Sequence, residues 1–209
     1  MKKKLYIALL CIMMTAAPFQ CAFGYSTKEF YALAGKHRYI NPFAVTVQSA
    51  CETGNWTSYL WKSGYNGAGL KASAEWLNSG RPYLTRESPE SRNGVYTTET
   101  SKFRKYMTPQ DFLKDYEKKI KKDYPRCARN RDNIWGYFAG LYAGRLGKWA
   151  TDHNYYKKLT IKAIKLAPEI YGAEWKIKLT GDFSAAVRRR SLTGWQKEII
   201  REELDRADQ

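Results

Sequence analysis

The chain has 209 residues, 44% of them hydrophobic and 15% aromatic, with a formal net charge of +16. His37 and His153 are the only histidines, and the four cysteines form no CxxC pair, which argues against a zinc centre or a Ser-His-Asp triad. The basic excess points to an anionic partner: nucleic acid for a cytosolic chain, the carboxylates and phosphates of a cell wall for an exported one.

The first residues choose between these. Lys2, Lys3 and Lys4 precede an apolar run from Leu5 to Ala17, followed by Ala22-Phe23-Gly24. A basic start, a short apolar core and small residues form a secretory signal, with cleavage expected near Gly24. The apolar core is shorter than the roughly 20 residues of a membrane span. Cys21 follows Pro18-Phe19-Gln20, which lacks the small residues of a lipidation site. Residues 1–24 are therefore read as a leader, and the protein as exported: periplasmic, envelope-bound or secreted. Residues 25–167 carry 25 Lys/Arg against 12 Asp/Glu, whereas residues 168–209 hold eight of each. The positive charge is a property of the body, not of the tail. An exported compartment permits a disulfide between Cys51 and Cys127, but sequence does not decide whether they meet.

Ser26-Thr27-Lys28-Glu29 has the form of a capping box opening a helix. Asn41-Pro42 opens a second, with Asn as N-cap and Pro at the first helical position. It is expected to run to about Glu52, with Gly54 as its stop. From Trp56 to Gly80 the Gly, Asn, Ser and aromatic content predicts loop and turns. Residues 82–87 and 95–103 read as two strands of a hairpin, with turn signals at Pro89 and Asn93-Gly94. Alternation places Tyr83, Thr85 and Glu87 on one strand face. Helices return at Thr108-Pro109, over 132–146 with Ile134, Phe138, Leu141 and Tyr142, and from Thr151-Asp152 onward. An amphipathic stretch covers 193–204. The expected fold is α+β, mostly α, with one small β-hairpin lobe.

Glu52 stands out in this frame. It falls in the last turn of an apolar helix, where the negative end of the helix dipole disfavours an ionised carboxylate. Partial burial pushes the same way. A general acid needs its proton near neutral pH, so the position suits an acid.

Several segments together resemble one family. Gln48-x-x-x-Glu52-Thr53-Gly54-x-Trp56 resembles the AQ-x-x-LE-[ST]-G-W signature of bacterial endo-β-N-acetylglucosaminidases, glycoside hydrolase family 73. Asn66-Gly67-Ala68-Gly69-Leu70-Lys71 is similar to that family's NLFGIK, with Ala68 where an aromatic is usual. Phe103-Arg104-Lys105-Tyr106 matches FRxY. Ala150-Thr151-Asp152-His153-Asn154-Tyr155-x-x-Lys158-Leu159 matches YATDxxYxxKL, with Trp149 in place of the first Tyr. The four occur in family order between residue 41 and about 166, so residues 25–167 read as the catalytic domain and 168–209 as a helical extension.

The resemblance implies a lysozyme-like fold and cleavage of the β-1,4 bond from N-acetylglucosamine to N-acetylmuramic acid in peptidoglycan. It implies Glu52 as the acid. Glu87, in a Thr-x-Glu setting on the first strand, is the implied second carboxylate, with Glu99 as competitor. Tyr155 is the candidate tyrosine, oriented toward the substrate's 2-acetamido group. Trp56, Asn66, Gly67, Lys71 and Arg104 are the candidate substrate contacts. No metal or cofactor is implied. Peptidoglycan glycan strands are the expected partner, with a protein partner for the extension as a further option. Two other readings stay open: a lytic transglycosylase, echoed by Gly67-Ala68-Gly69-Leu70, and a catalytically silent wall-binding scaffold.

Overall fold

A computed structural model describes residues 25–92 and 95–207. The expected leader, residues 1–24, and the turn expected at Asn93-Gly94 lie outside the described residues. The order is α1 (Thr27–Ala34), α2 (Pro42–Thr53), α3 (Tyr59–Gly64), α4 (Ala74–Asn78), β1 (Tyr83–Arg92), β2 (Val95–Arg104), α5 (Pro109–Asp123), α6 (Pro125–Arg129), α7 (Ile134–Gly140), α8 (Tyr155–Tyr171), α9 (Trp175–Arg188) and α10 (Gly194–Arg206). The result is mostly helical, with one two-stranded antiparallel sheet.

Helix α2 is the central post. Every residue from Phe43 to Ala50 is buried, as expected of a helix covered on all sides. It packs against α1 and α8 and touches α7. Helix α5 presents Phe112, Leu113, Tyr116 and Ile120 as one fully buried stripe. Phe30 joins the two faces, stacking on Trp56 at 5.2 Å and meeting Phe112 at 6.4 Å between ring centroids.

The caps read from sequence are present. Ser26 and Glu29 form the capping box, the Asn41 side chain accepts from Ala44 N–H, and Thr108 caps α5. The segment expected to be loop is different: it holds α3 and α4, capped by Ser58 and Ser73. Helix α7 is shorter than the expected 132–146. It ends at Gly140, after which the N–H groups of Leu141, Tyr142 and Ala143 donate to Phe138, Ala139 and Gly140 O, three residues back, so the chain tightens into turns. Helix α8 begins at Tyr155 rather than Thr151, because the Asp152 carboxylate accepts from Asn154 N–H and holds a turn there.

The tail packs back on the body. Helix α8 continues through Pro168 to Tyr171. Leu179 and Ala186 of α9 and Ile200 of α10 are fully buried, each large apolar side chain contributing about 1.5–3 kcal/mol. The Trp135 indole N–H donates to Leu179 O at 2.9 Å, and Arg126 donates to Ser191 O at 2.9 Å. Cys51 and Cys127 are free thiols.

Strand β1 pairs with β2 so that Glu87 faces Thr100 and Leu84 faces Phe103. Partners directly across an antiparallel ladder share a face. One face therefore carries Tyr83, Thr85, Glu87 and Lys102, and is exposed. The other carries Leu84, Glu99, Ser101 and Phe103, of which Ser101 and Phe103 are buried.

Candidate active site

The end of α2 explains why Thr53-Gly54-x-Trp56 has its composition. Gly54, Asn55 and Trp56 all adopt positive φ, at 57°, 56° and 61°. Two consecutive non-glycine residues in this region cost of order 1–3 kcal/mol each, and local bonds hold them. Thr53 Oγ1 donates to Ser49 O at 2.6 Å and accepts from Trp56 N–H at 2.8 Å, while the Trp56 indole donates to Ser49 Oγ at 3.0 Å. The chain thus turns sharply away and leaves Glu52 at the open end of the helix.

A chain of hydrogen bonds leads from the core to that carboxyl. Tyr155, the first residue of α8, donates its hydroxyl to Glu52 Oε1 at 2.7 Å. Gln48 Nε2 donates to the same hydroxyl oxygen at 3.0 Å. Gln48 Oε1 then accepts from Tyr116, whose oxygen lies 3.2 Å from that of Tyr137. Because Tyr116 spends its proton on Gln48, Tyr137 is the donor in the last pair. The donors all point one way, from Tyr137 toward Glu52. Gln48 and Glu52 are four residues apart, one turn, on the same face of α2.

Glu52 Oε2 faces the 66–71 loop. At Gly69 (φ 59°) a Cβ would lie 3.8 Å from it. On the α8 side a cleft of about 520 Å³ opens, lined by Cys51, Glu52, Ala150, Asp152, Tyr155 and Lys158 among others. By area Glu52 counts as exposed, yet its carboxyl is closely ringed by protein. The second description governs the proton, because a charge is solvated by the water around it and not by the area of the whole side chain. Loss of that water raises the Glu52 pKa, against the Tyr155 hydroxyl, the Lys158 charge and Trp149, which each lower it. The Tyr155 hydroxyl is itself driven far up by burial and by the Glu52 charge, so it remains a donor. Burial pushes the Cys51 thiol up to about 12, which leaves it protonated and a poor nucleophile.

The other candidates divide sharply. Trp56 is a core residue, 2% exposed, so it supports the turn after Glu52 instead of lining the cleft. Asn66 is fully buried and saturated: it donates to Leu70 O and Arg104 O and accepts from Leu70 N–H, all within 2.9 Å. It latches the loop to the base of the hairpin. At Gly67 a Cβ would stand 2.6 Å from Ser49 Oγ and 2.7 Å from Phe112, so the loop backbone presses on the core there. Neither is free to meet a sugar. Lys71 is exposed beside the site. Arg104 is ion-paired with Asp115 and donates Nε–H to Lys71 O at 3.1 Å. Tyr155 lines the cleft and bonds Glu52 and Gln48 through its hydroxyl. Glu87 stands on the exposed hairpin face, away from these bonds. Sequence reasoning assigns no role to Gln48, Tyr116, Tyr137 or Trp149. The four-residue spacing of Gln48 and Glu52 was the available signal for the first. Among the described residues no group of three or more His, Cys, Asp or Glu is placed to hold a metal. No helix among them is long and apolar enough to cross a membrane.

An acid with a raised pKa at the end of a buried helix, held by a tyrosine beneath an open cleft, has the form of a glycosidase proton donor. Residues 28–166 match the family model described as mannosyl-glycoprotein endo-beta-N-acetylglucosaminidase. The chain belongs to this family and is a glycoside hydrolase. Among solved structures it is similar to a C-terminally truncated glycoside hydrolase domain from Salmonella typhimurium FlgJ, with 25% identity and a TM-score of 0.50. That match covers 68% of this chain and 97% of that one. The catalytic domain of the autolysin Auto from Listeria monocytogenes has the same fold, at 23% identity and a TM-score of 0.51 over 65% of this chain and 77% of the other. An N-acetylmuramoyl-L-alanine amidase structure from Staphylococcus aureus also shares it, at 24% identity and a TM-score of 0.53. There 68% of this chain matches and only 39% of that chain is spanned. No curated protein matches this chain in sequence.

Proposed function

We propose that the protein is an exported peptidoglycan hydrolase that cuts the β-1,4 bond between N-acetylglucosamine and N-acetylmuramic acid, with Glu52 as general acid. The observation that carries this reading is the Glu52 carboxyl itself. Crowding keeps its proton at a higher pH than a solvated glutamate would, and the Tyr155 hydroxyl orients the carboxyl through Oε1. Protonating the glycosidic oxygen is the first requirement of the reaction. The family match over residues 28–166 and the 25% identity to the FlgJ glycoside hydrolase domain support a glycosidic bond as the target.

The far side of the sugar can be served in two ways. In an inverting route the hairpin carboxylate, Glu87 with Glu99 as the alternative, activates water across a gap of about 6.5–9.5 Å. In a substrate-assisted route the 2-acetamido group attacks and no enzyme nucleophile is needed. The anomer of the first product separates them, since retention rules out simple inversion.

The deciding experiment incubates the mature protein, residues 25–209, with purified peptidoglycan beside its Glu52→Gln variant. Mass spectrometry after borohydride reduction identifies new chain ends. Reduced N-acetylglucosamine ends from the wild type alone are expected. Anhydro-muramic ends would make the protein a lytic transglycosylase. Sedimentation with the wall and no new ends would favour a silent scaffold.

A further inference from the structure

A second concavity, of about 280 Å³, lies between α4, the end of β2 and α5, and its wall is dominated by charge. Two of its cations are already paired. Arg104 binds Asp115, and Lys119 binds Asp123 at 2.9 Å. That leaves Arg81, Lys118 and Lys122 against the single remaining acid, Glu75. No carboxylate partner is found for these three cations among the described residues.

The pocket is built on a rigid base. Trp76 is 6% exposed, and its indole donates to Pro82 O at 3.0 Å. The guanidiniums of Arg81 and Arg104 both lie against its ring, 4.8 and 4.9 Å from the centroid. Such stacking orders a long side chain before any ligand arrives, which lowers the entropy cost of gripping an anion. Planar guanidinium donors match the two oxygens of a carboxylate.

The pocket and the Glu52 cleft have different lining residues, and two contacts connect them. Lys119 Nζ stands 5.9 Å from the centroid of Trp149, the residue that acts on the Glu52 carboxyl. Arg104 holds Lys71 O, two residues beyond Gly69. We propose that this pocket is an anionic subsite that binds a stem-peptide carboxylate of the strand whose sugar bond lies over Glu52. The proposal rests on the peptidoglycan reading. It adds that the enzyme recognises peptide-bearing strands and not bare glycan.

The test combines Arg81→Gln, Lys118→Gln and Lys122→Gln, none of which touches Glu52. Three substrates are compared: peptidoglycan freed of phosphate polymers, the same material stripped of peptides by an amidase, and walls that retain their phosphate polymers. The expected result is a KM raised about tenfold on the first substrate, the scale of a charge-assisted hydrogen bond. On stripped glycan, KM and kcat should match the wild type. An equal change on peptide-bearing and stripped strands, or no change on either, would overturn the proposal. A loss confined to walls with phosphate polymers would overturn it in favour of a phosphate ligand. Co-sedimentation of the Glu52→Gln protein, with and without the triple change, reads the pocket independently of cutting. If the wild type releases no ends but this binding still depends on peptide and on the three cations, the hydrolase reading fails and the subsite stands.

Discussion

Glu52 and Glu87 are the two carboxylates that the family resemblance marks, and they occupy opposite kinds of surroundings. Glu52 ends a helix whose other side is the core, and its oxygen closes a line of four hydrogen-bonded partners. Glu87 stands on a two-stranded ribbon, on the face it shares with Thr85 and Lys102, open to water. In the proposed reading the same side chain serves as a crowded acid in one place and as an exposed base in the other. Splitting two carboxylates by environment is how one site supports both halves of acid–base chemistry. The body supplies precision, and the hairpin supplies a charge on an exposed arm.

The largest effect expected from this contrast is at Glu52. Glu52→Gln keeps the shape and the Tyr155 contact but removes the proton, so kcat should fall by about 10²–10⁴ with KM little altered. Chain-end release from peptidoglycan measures it. Glu87→Gln should cost less, about tenfold to a hundredfold, the lower end of what a general base contributes. Glu99→Gln, on the opposite hairpin face, is the control. A loss at Glu87 as large as that at Glu52 would break the comparison. A larger loss at Glu99 than at Glu87 would move the second carboxylate to the inward face.

Next comes the line of donors. Tyr155→Phe deletes a bond that lowers the Glu52 pKa, so the pKa should rise further. Activity is lost as pH rises through that pKa, so the alkaline limb of the pH–rate profile should move to higher pH. The rate at the optimum should fall by about tenfold, because the carboxyl loses its orienting partner. Tyr116→Phe should do the same more weakly. It leaves Gln48 Oε1 without its donor, at a stability cost of about 1–3 kcal/mol. A fall in stability with an unmoved pH profile would reduce the line to a packing feature.

Much of this arrangement was legible in the sequence, and the reasons are local. Asn41-Pro42 and Gly54 bracket α2 with one cap at each end, and this fixes Glu52 in the last turn without any tertiary knowledge. The 150–159 motif places Tyr155 at a helix start. What sequence could not convey is which groups become buried together. Tyr116 reaches Gln48, and Tyr137 reaches Tyr116, only because α2, α5 and α7 bring them together in the core. Asn66 looks the same on paper whether it lines a cleft or, as here, spends every donor and acceptor on its own loop and hairpin. The short helices α3 and α4 carry six and five residues, too few for periodicity to show. Their capping serines, Ser58 and Ser73, were the remaining signal.

The smallest effect is also the most direct probe of the Glu52 environment. Crowding raises the pKa of Glu52 in the folded protein above its value in the unfolded chain. A carboxyl shifted this way favours the fold when protonated, and that contribution is lost as pH rises through the folded pKa. A glutamine at this position cannot ionise and escapes the loss. Glu52→Gln should therefore melt slightly higher than the wild type at pH 7, with the two curves converging near pH 4, about the value of a solvated glutamate. Glu87→Gln, on the exposed face of the hairpin, is the comparison and should track the wild type. If the two variants behave alike across this range, the distinction between body and hairpin fails at its root, and the position of Glu52 would have to be explained by packing alone.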